Sequence, residues 1–600
     1  MRRRNVLKGI AAMIALGAAP GQSVSALGAA APIGRVRPGD AAWPSEADWS
    51  RLNRDVGGRL AAVRSPLAEC AAGSDCTQLF KELKNPYYLG DEVALTQSLG
   101  WVDAWTSRPS AYAVAAESTA DIVAAVNFAR DNNLRLVVKG GGHSYRGTSN
   151  AADSLLIWTR KMNAVALQEA FVGAGCAGKY EPKPAVTIEA GAMWGHVYDA
   201  VATKGGRYVQ GGGCLTVGVA GLIQGGGFGS FSKGYGMAAA SLLEAEIVTA
   251  DGIVRTANAC TNPDLFWALK GGGGGCLGVV TRLTLQTHDL PQFFGPMFTT
   301  IKATSEAAYR RLIGRIVDFY GEALFNPHWG EQIVFRPDNV LSVAMVFQGL
   351  TQDEAHATWR PFLDWIAASP QDFAIAQPPI ILAAPARHFW DPDFLKMLPG
   401  AVRTDDRPGA SEANIFWGAN LGEAGQVLHG YQSAWLPAAL LQPEQRQSLA
   451  DALFAASRQW GFSLHFNKGL AGAPPEAIAA ARDTAMNPAV ADAFALVISG
   501  AEGPPAYPGV AGHEPDVAAA RAHAQAIDKA MNELRKIAPN PGSYVSESNF
   551  FEEDWRQSFW GPNYARLLAV KDKYDPDCLF FAHHGVGSER WSADGFTRAT

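Results

Sequence analysis

The sequence predicts an α+β fold made of two interleaved bodies, and three observations carry that expectation. Glycine runs at 140–142, 211–213 and 271–275 each follow directly on a segment with the pattern of a strand or a helix. Around them, through residues 107–288, short apolar strands alternate with helices bearing one apolar stripe. From 289 to 542 the glycine loops thin out, and strands alternating with Ala-rich helices suggest a second α+β layer with an antiparallel sheet, the expected substrate-binding body.

The chain opens MRRRNVLKGIAAMIALGAAPGQSVSALG, a basic head, an apolar run from Ile10 to about Ala19 and small residues as far as Ala26. That is the pattern of an export signal over 1–26, too short to cross a bilayer. Arg3-Arg4-Asn5-Val6-Leu7-Lys8 has the twin-arginine form used to export proteins already folded around a cofactor. The expectation is a periplasmic or secreted protein, handled by export machinery, without a membrane anchor. Residues 27–106 lack clear periodicity and read as an N-terminal arm around the body. Ser118 or Thr119 then caps a helix striped by Ile122, Val123, Val126 and Ala129, and a buried strand at 134–138 runs into Gly140-Gly141-Gly142-His143-Ser144. A strand at 185–189, a helix at 193–203 and a short strand at 207–210 repeat this grammar and end in Gly211-Gly212-Gly213-Cys214. An Asp251-Gly252 turn predicts a hairpin, Asn262-Pro263-Asp264 starts a helix, and the third glycine run leads into a strand at 278–284. A long helix at 515–537 closes the middle body. Residues 543–587 carry new aromatic motifs and are expected to return to the first body, followed by a tail at 588–600.

Fifty-one basic and 57 acidic side chains give a formal charge of -6 without long single-sign blocks, which disfavours a nucleic-acid partner and suits a small-molecule substrate. No CxxC or HExxH spacing points to a metal. Seven cysteines are an odd number for an oxidising compartment. Cys70 and Cys76 have the spacing of a small disulfide loop; Cys176, Cys260, Cys276 and Cys578 pair in several ways that spacing leaves open; Cys214 lies among glycines.

Glycine lets backbone N–H groups approach a guest closely, and a diphosphate is the natural guest, although any single glycine loop is as often a plain turn. Gly273-x-Gly275-x-x-Gly278 spells the dinucleotide fingerprint, but a helix precedes it and a strand follows, the reverse of what that fingerprint requires. His143 and Cys214 are a loop histidine and a small cysteine in the bland reading. Chemically they are two nucleophiles, an imidazole and a thiolate, on loops built for close approach.

VVKGGGHSYRGTSN, GGGCLTVGVAGLIQGGGFGSFSKGYG, NPDLFWALKGGGGGCLGVVTRLTL and NYARLLAVKDKYDPD together resemble the berberine-bridge-enzyme-like branch of the vanillyl-alcohol-oxidase flavoproteins, whose FAD-binding domain is of the PCMH type with two subdomains. The resemblance covers about 107–288 and 543–587. It implies FAD bonded covalently through its 8α-methyl to His143 and through C6 to Cys214. It places Gly140, Gly141, Gly142, Ser144 and Gly147 at the diphosphate with the 271–275 run, Gly218 and Gly221 beside the flavin loop, and Gly278, Val279 and Val280 by the adenine or ribose. Val217 matches the position that controls oxygen access, where the family's oxidases have valine or isoleucine and its dehydrogenases leucine.

The chemistry so implied is hydride transfer from a C–H beside a hydroxyl or amine to flavin N5, a base taking the hydroxyl or amine proton and O2 taking the electrons to give H2O2. Glu547 occupies the base's place in the stretch Tyr544-Val545-Ser546-Glu547, where relatives carry a tyrosine; Tyr544 is a second candidate. The alternative for Glu547 is pairing with an arginine, with the base supplied by the middle body. His583-His584 matches a segment that approaches the flavin in relatives. Leu222, Glu547 and Cys276 depart from the family pattern and leave the substrate and the acid–base pair open. The readings are a bicovalent FAD oxidase of a carbohydrate or other bulky alcohol, a periplasmic dehydrogenase with a quinone or cytochrome acceptor, and an exported flavin carrier without turnover.

Overall fold

The computed structural model describes residues 34–599, so the expected export signal lies outside the described residues. The helix Thr119–Asp131 starts at Ser118, whose hydroxyl caps the Asp121 N–H while the Asp121 carboxylate returns to the Ser118 N–H, a reciprocal capping box. Its stripe of Ile122, Val126 and Ala129 is buried against a small sheet. In that sheet Arg135–Lys139 and Tyr112–Ala115 flank Ser154–Trp158 in parallel, and Leu60–Ala62 from the arm adds an antiparallel edge. Strand Ser154–Trp158 was not foreseen.

A second sheet is antiparallel throughout. Its order is Val254–Asn258, Leu242–Val248, Val279–Asp289, Lys183–Glu189, Val165–Phe171, with Arg207–Val209 pairing the far end of Val279–Asp289. The hairpin turns at Gly252, whose φ of 76° is the conformation that turn needs. The helix expected at 193–203 is Trp194–Tyr198 continued by a wider π turn, Asp199–Lys204. A helix precedes the third glycine run and the strand Val279–Asp289 follows it.

The middle of the chain folds into a ten-stranded sheet: Phe373–Ile381, Phe293–Ala303, Val340–Gln348, Trp329–Phe335, Phe462–His465, Ala493–Gly503, Gln426–Pro437, and then two strands from the arm, Ser98–Trp101 and Trp105–Thr106, with Ala384–Pro385 beside Phe293–Ala303. Helices Glu306–Phe319, Pro443–Ser457 and Val517–Arg535 cover one face with a core around Leu312, Trp359, Leu453 and Met531. All neighbours in this sheet are antiparallel except Ser98–Trp101, which runs parallel to Gln426–Pro437. The arm is therefore part of both bodies. A fully buried Lys139, at the end of the strand that leads to Gly140, ties it down further by donating to the carbonyls of Glu92, Val93 and Leu95.

Cys70 is bonded to Cys76 and Cys176 to Cys260. Cys214, Cys276 and Cys578 are free. The odd count thus leaves three thiols rather than one; Cys276 and Cys578 are both buried, and Lys571 joins their segments by donating to the Cys276 carbonyl, the Phe580 carbonyl and Asp575.

Candidate active site

The loops bearing His143 and Cys214 are pressed together backbone to backbone. A Cβ on Gly141 would lie 2.7 Å from the Gly218 nitrogen and 3.1 Å from the Thr216 carbonyl oxygen, and one on Gly218 would lie 2.8 Å from the Gly141 nitrogen. Only glycine at both positions permits that approach. The Cys214 loop is fixed from behind by helix Trp194–Tyr198, whose first N–H groups, free of intrahelical partners, donate to the Val217 and Leu215 carbonyls. Tyr198 and Trp417 bind the carbonyls of Gly212 and Gly213.

This brings His143 and Cys214, 71 positions apart in the chain, to one hydroxyl: Thr216 Oγ1 is 3.2 Å from His143 Nε2 and 3.6 Å from Cys214 Sγ. Burial pulls the imidazole down to about 4, so it is neutral at pH 7. Burial pushes the Cys214 thiol up to about 12, with Glu423 adding to the shift and hydrogen bonds from Thr216 and Val217 opposing it. The thiolate expected from the sequence is thus not the resting form.

The other glycine positions divide into two kinds. Gly142 and Gly147 have φ of 77° and 67°, and Gly147 lies flat on the Trp105 ring. The Ser144 hydroxyl accepts from the Thr148 N–H, which closes the turn after His143. A Cβ on Gly140 would be 3.4 Å from the Ala190 carbonyl oxygen, and one on Gly278 would be 2.6 Å from that of Val248. Val279 and Val280 are core residues of the strand they begin. In contrast, a Cβ on Gly221 or Gly275 would meet nothing within 4 Å, and one on Gly274 would face the Gly221 Cα at 3.8 Å. Helix Val219–Gln224 and the third glycine run thus face each other across a strip without side chains, which suits a guest held by backbone N–H groups. The nucleophile pair and this strip are a donor set that fits FAD. Val217 is half-buried against the core beside Cys214, and Leu222 fills the space between Gly212 and Gly227.

Tyr544 is buried, its hydroxyl accepts from the Gly227 N–H, and burial pushes it well above the usual phenol range. Glu547 does not meet an arginine; the Lys468 ammonium sits on its Oε2. His583 stacks on Phe550 and on His584, whose Nδ1 is buried without a partner, and Arg146 donates to both histidine carbonyls.

Four groups were not foreseen. Glu331 stands in strand Trp329–Phe335 with a left-handed φ of 65°. Its neighbour Gly330 is pressed onto the Ser230 backbone, and its own Oε1 accepts from Ser230 and Asn467 and lies 3.6 Å from a Cβ built on Gly213. Oε2 has no partner among the described residues. Glu423 is pushed up to about 7 by burial, against the Asn420 hydrogen bond and with repulsion from Glu547 and Glu502. Tyr145, two residues after His143, and Tyr431 pack with ring centres 5.1 Å apart and planes tilted by 54°, both pushed upward by burial and by Glu547 and Glu423. The one signal in the sequence was Tyr145 in the GGGHSY loop. Strand-borne Glu331 and Tyr431 look like ordinary polar positions of an alternating pattern, and Lys468 ends the short turn Phe466–Lys468 that follows strand Phe462–His465.

The chain matches the model of an FAD binding domain over residues 110–258 and that of berberine and berberine-like proteins over 543–587. FAD-linked oxidoreductase malF of Malbranchea aurantiaca is 30% identical over 94% of this chain and 94% of its own length. The chain is an FAD-linked oxidoreductase of the berberine-bridge-like family. VAO-type flavoprotein oxidase VAO615 of Thermothelomyces thermophilus is 29% identical over 94% of this chain and 95% of its own. The crystal structure of the VAO-type flavoprotein MtVAO615 from Myceliophthora thermophila superposes with a TM-score of 0.76 at 27% identity, covering 94% of this chain and all of that one. Glucooligosaccharide oxidase from Acremonium strictum, titled for its 6-S-cysteinyl, 8α-N1-histidyl FAD, shares the fold with a TM-score of 0.62 at 18% identity, over 87% of this chain and 99% of its own. The α+β fold of this berberine-bridge-like enzyme is that of the vanillyl-alcohol-oxidase flavoproteins. Among the described residues no helix is long and apolar enough to cross a membrane.

Proposed function

We propose that this enzyme is an exported oxidase whose FAD is bonded to both His143 and Cys214, and that it oxidises the alcohol carbon of a carbohydrate or other bulky hydroxyl compound with O2 as acceptor. The observation that carries the reading is the meeting of His143 and Cys214 at Thr216, beside a strip of glycine backbone free of side chains. Two disulfides support an oxidising destination.

When bound, FAD supplies a two-electron acceptor for hydride; the chain's own residues do the rest. The backbone N–H groups around Gly221 and of Gly274 and Gly275 would hold the diphosphate, those of Gly272 and Gly273 being taken by the Ala268 and Gln224 carbonyls. His143 is neutral, so its lone pair is available for a bond. Glu331, Glu423, Glu547 and Lys468, with Tyr145 and Tyr431, present many acceptors and one cation, which suits a substrate rich in O–H donors. The proton of the reacting hydroxyl goes to a carboxylate. Glu547 is one candidate, though Lys468 already occupies it; Glu331 is favoured by its free Oε2 and by the unusual backbone that aims it, since strained positions gather where a group must be held for chemistry. Val217 leaves O2 room beside the Cys214 loop.

Release of yellow flavin on acid precipitation would remove the covalent part of this reading. A panel of sugars, aryl alcohols and amines, assayed for peroxide, tests the rest. Peroxide in one-to-one ratio with consumed substrate supports the oxidase; reduction of quinone without peroxide would mean a dehydrogenase.

A further inference from the structure

Thr216 is 1% exposed and stands in the tight turn after Cys214, with its hydroxyl in contact with both attachment groups. One hydroxyl has a proton and two lone pairs, enough to serve two neighbours at once. We propose that Thr216 is the positioning residue for flavin attachment: its hydroxyl accepts the Nε2–H of His143, leaving Nδ1 to bond the flavin, and accepts the thiol hydrogen of Cys214 as the sulfur bonds. This rests on the bicovalent reading above.

The need for such a residue follows from the chemistry of both groups in their partly buried loops. A neutral imidazole has two tautomers, and the nucleophile is whichever nitrogen lacks the proton. A hydroxyl fixed at Nε2 keeps the proton there and the lone pair on Nδ1. Cys214 has the opposite problem. In its partly buried position the thiol is pushed up and keeps its hydrogen at neutral pH, so attack requires that hydrogen to leave as the S–C bond forms, and the thiolate is the nucleophile. Thr216 is the side chain in hydrogen-bond contact with the sulfur, and the N–H groups of Thr216 and Val217 stabilise negative charge there. In each attachment one bond forms, N–C for His143 and S–C for Cys214. The side-chain hydrogen and the hydrogen of the flavin carbon leave as protons, the electron pair reduces the flavin, and O2 takes the pair and both protons as H2O2.

The test uses full-length holoenzyme with Thr216→Val, which keeps the shape without the hydroxyl, and Thr216→Ser, which keeps the hydroxyl. Acid-stable flavin per protein and mass spectrometry of the His143 and Cys214 peptides count each link, and a melting curve checks folding. Wild type and Thr216→Ser are expected to carry both links. Thr216→Val is expected to lose at least tenfold of the cysteinyl link, and incubation in air near pH 10 to restore part of it, because the small thiolate fraction then rises about a thousandfold over that at pH 7. Full occupancy of both links in Thr216→Val, or a deficit indifferent to pH, would overturn the proposal. Should Thr216→Val fail to fold, the wild-type bond decides: linkage at Nδ1 supports the proposal and linkage at Nε2 overturns it. A wild type lacking acid-stable flavin would instead remove the bicovalent reading, and the proposal with it.

Discussion

Substituting Gly141 by alanine sets a Cβ 2.7 Å from the Gly218 nitrogen, and ordinary contact begins at 3.4 Å, so one loop must shift by about 0.7 Å. Both partners are backbone, so no side chain can swing away. Overpacking of this kind costs about 1–3 kcal/mol. If the chain melts as one unit, its unfolding entropy is about 1.3 kcal/mol/K from roughly 2.1 cal/mol/K per residue, so the melting point falls only about 1–2 °C. The decisive readout is the flavin. A 0.7 Å retreat of the His143 loop stretches the 3.2 Å contact with Thr216 beyond hydrogen-bond reach, and misplacement of that order costs about 100-fold in a positioned reaction. Acid-stable flavin in Gly141→Ala is therefore expected to fall at least tenfold at nearly unchanged stability. Gly221→Ala is the contrasting control: no atom lies within 4 Å of its Cβ, so the empty protein tolerates it, while FAD binding weakens. Wild-type acid-stable flavin in Gly141→Ala would refute the interlocked-loop reasoning.

Glu331→Gly removes a side chain at a φ of 65° that glycine adopts freely, so thermal stability should hold or rise by about 1 kcal/mol, while turnover of any substrate found in the peroxide panel should drop about 100- to 10,000-fold; retained turnover would exclude Glu331 as proton acceptor. Glu423, held near 7 in the folded protein against an ordinary 4.5, binds a proton that the unfolded chain has lost between those values, so it lowers stability as pH rises from about 4.5 to 7 and adds nothing further above. Denaturant titrations of Glu423→Gln should show a flatter profile across that window, and an unchanged slope would count against the shift. The Cys176–Cys260 bridge spans 84 positions and Cys70–Cys76 only 6, so Cys176→Ser with Cys260→Ser is expected to cost about 4–5 kcal/mol in denaturant unfolding, against about 2–3 for the short loop; equal losses would speak against a loop-entropy origin.

The glycine loops were legible because close approach and positive φ leave a compositional trace, and the stripe from Ile122 to Ala129 because helical period does. The short hairpin at Asp251-Gly252 was legible for the same local reason. The arm was not. Its strand Ser98–Trp101 takes register from Gln426, 328 positions later, and no local pattern announces a parallel partner so distant. Glu331 was missed for a related cause: its left-handed backbone stands beside Gly330, which is pressed onto Ser230, a contact between the two bodies that no local pattern announces. Glu547 was found by motif, but the cation that meets it, Lys468, comes from the turn after strand Phe462–His465 of the ten-stranded sheet and is a lysine where an arginine was considered. Residues that share one loop or helix could be read together; those that converge from separate strands and turns could not.

The arm's double membership also sets the order in which this chain can be completed. Val36 bridges to Leu134 but Gly34 to Thr597, so the first described residue meets a partner 563 positions later, and Ser98–Trp101 waits for Gln426 to exist. During synthesis Leu60–Ala62 can pair with Tyr112–Ala115 soon after it emerges, but Ser98–Trp101 stays without its parallel partner until Gln426 follows, a long-range closure of the kind that slows folding. Loss of even the last twenty residues would therefore be felt at the front of the protein, as a loose N-terminal segment open to proteases.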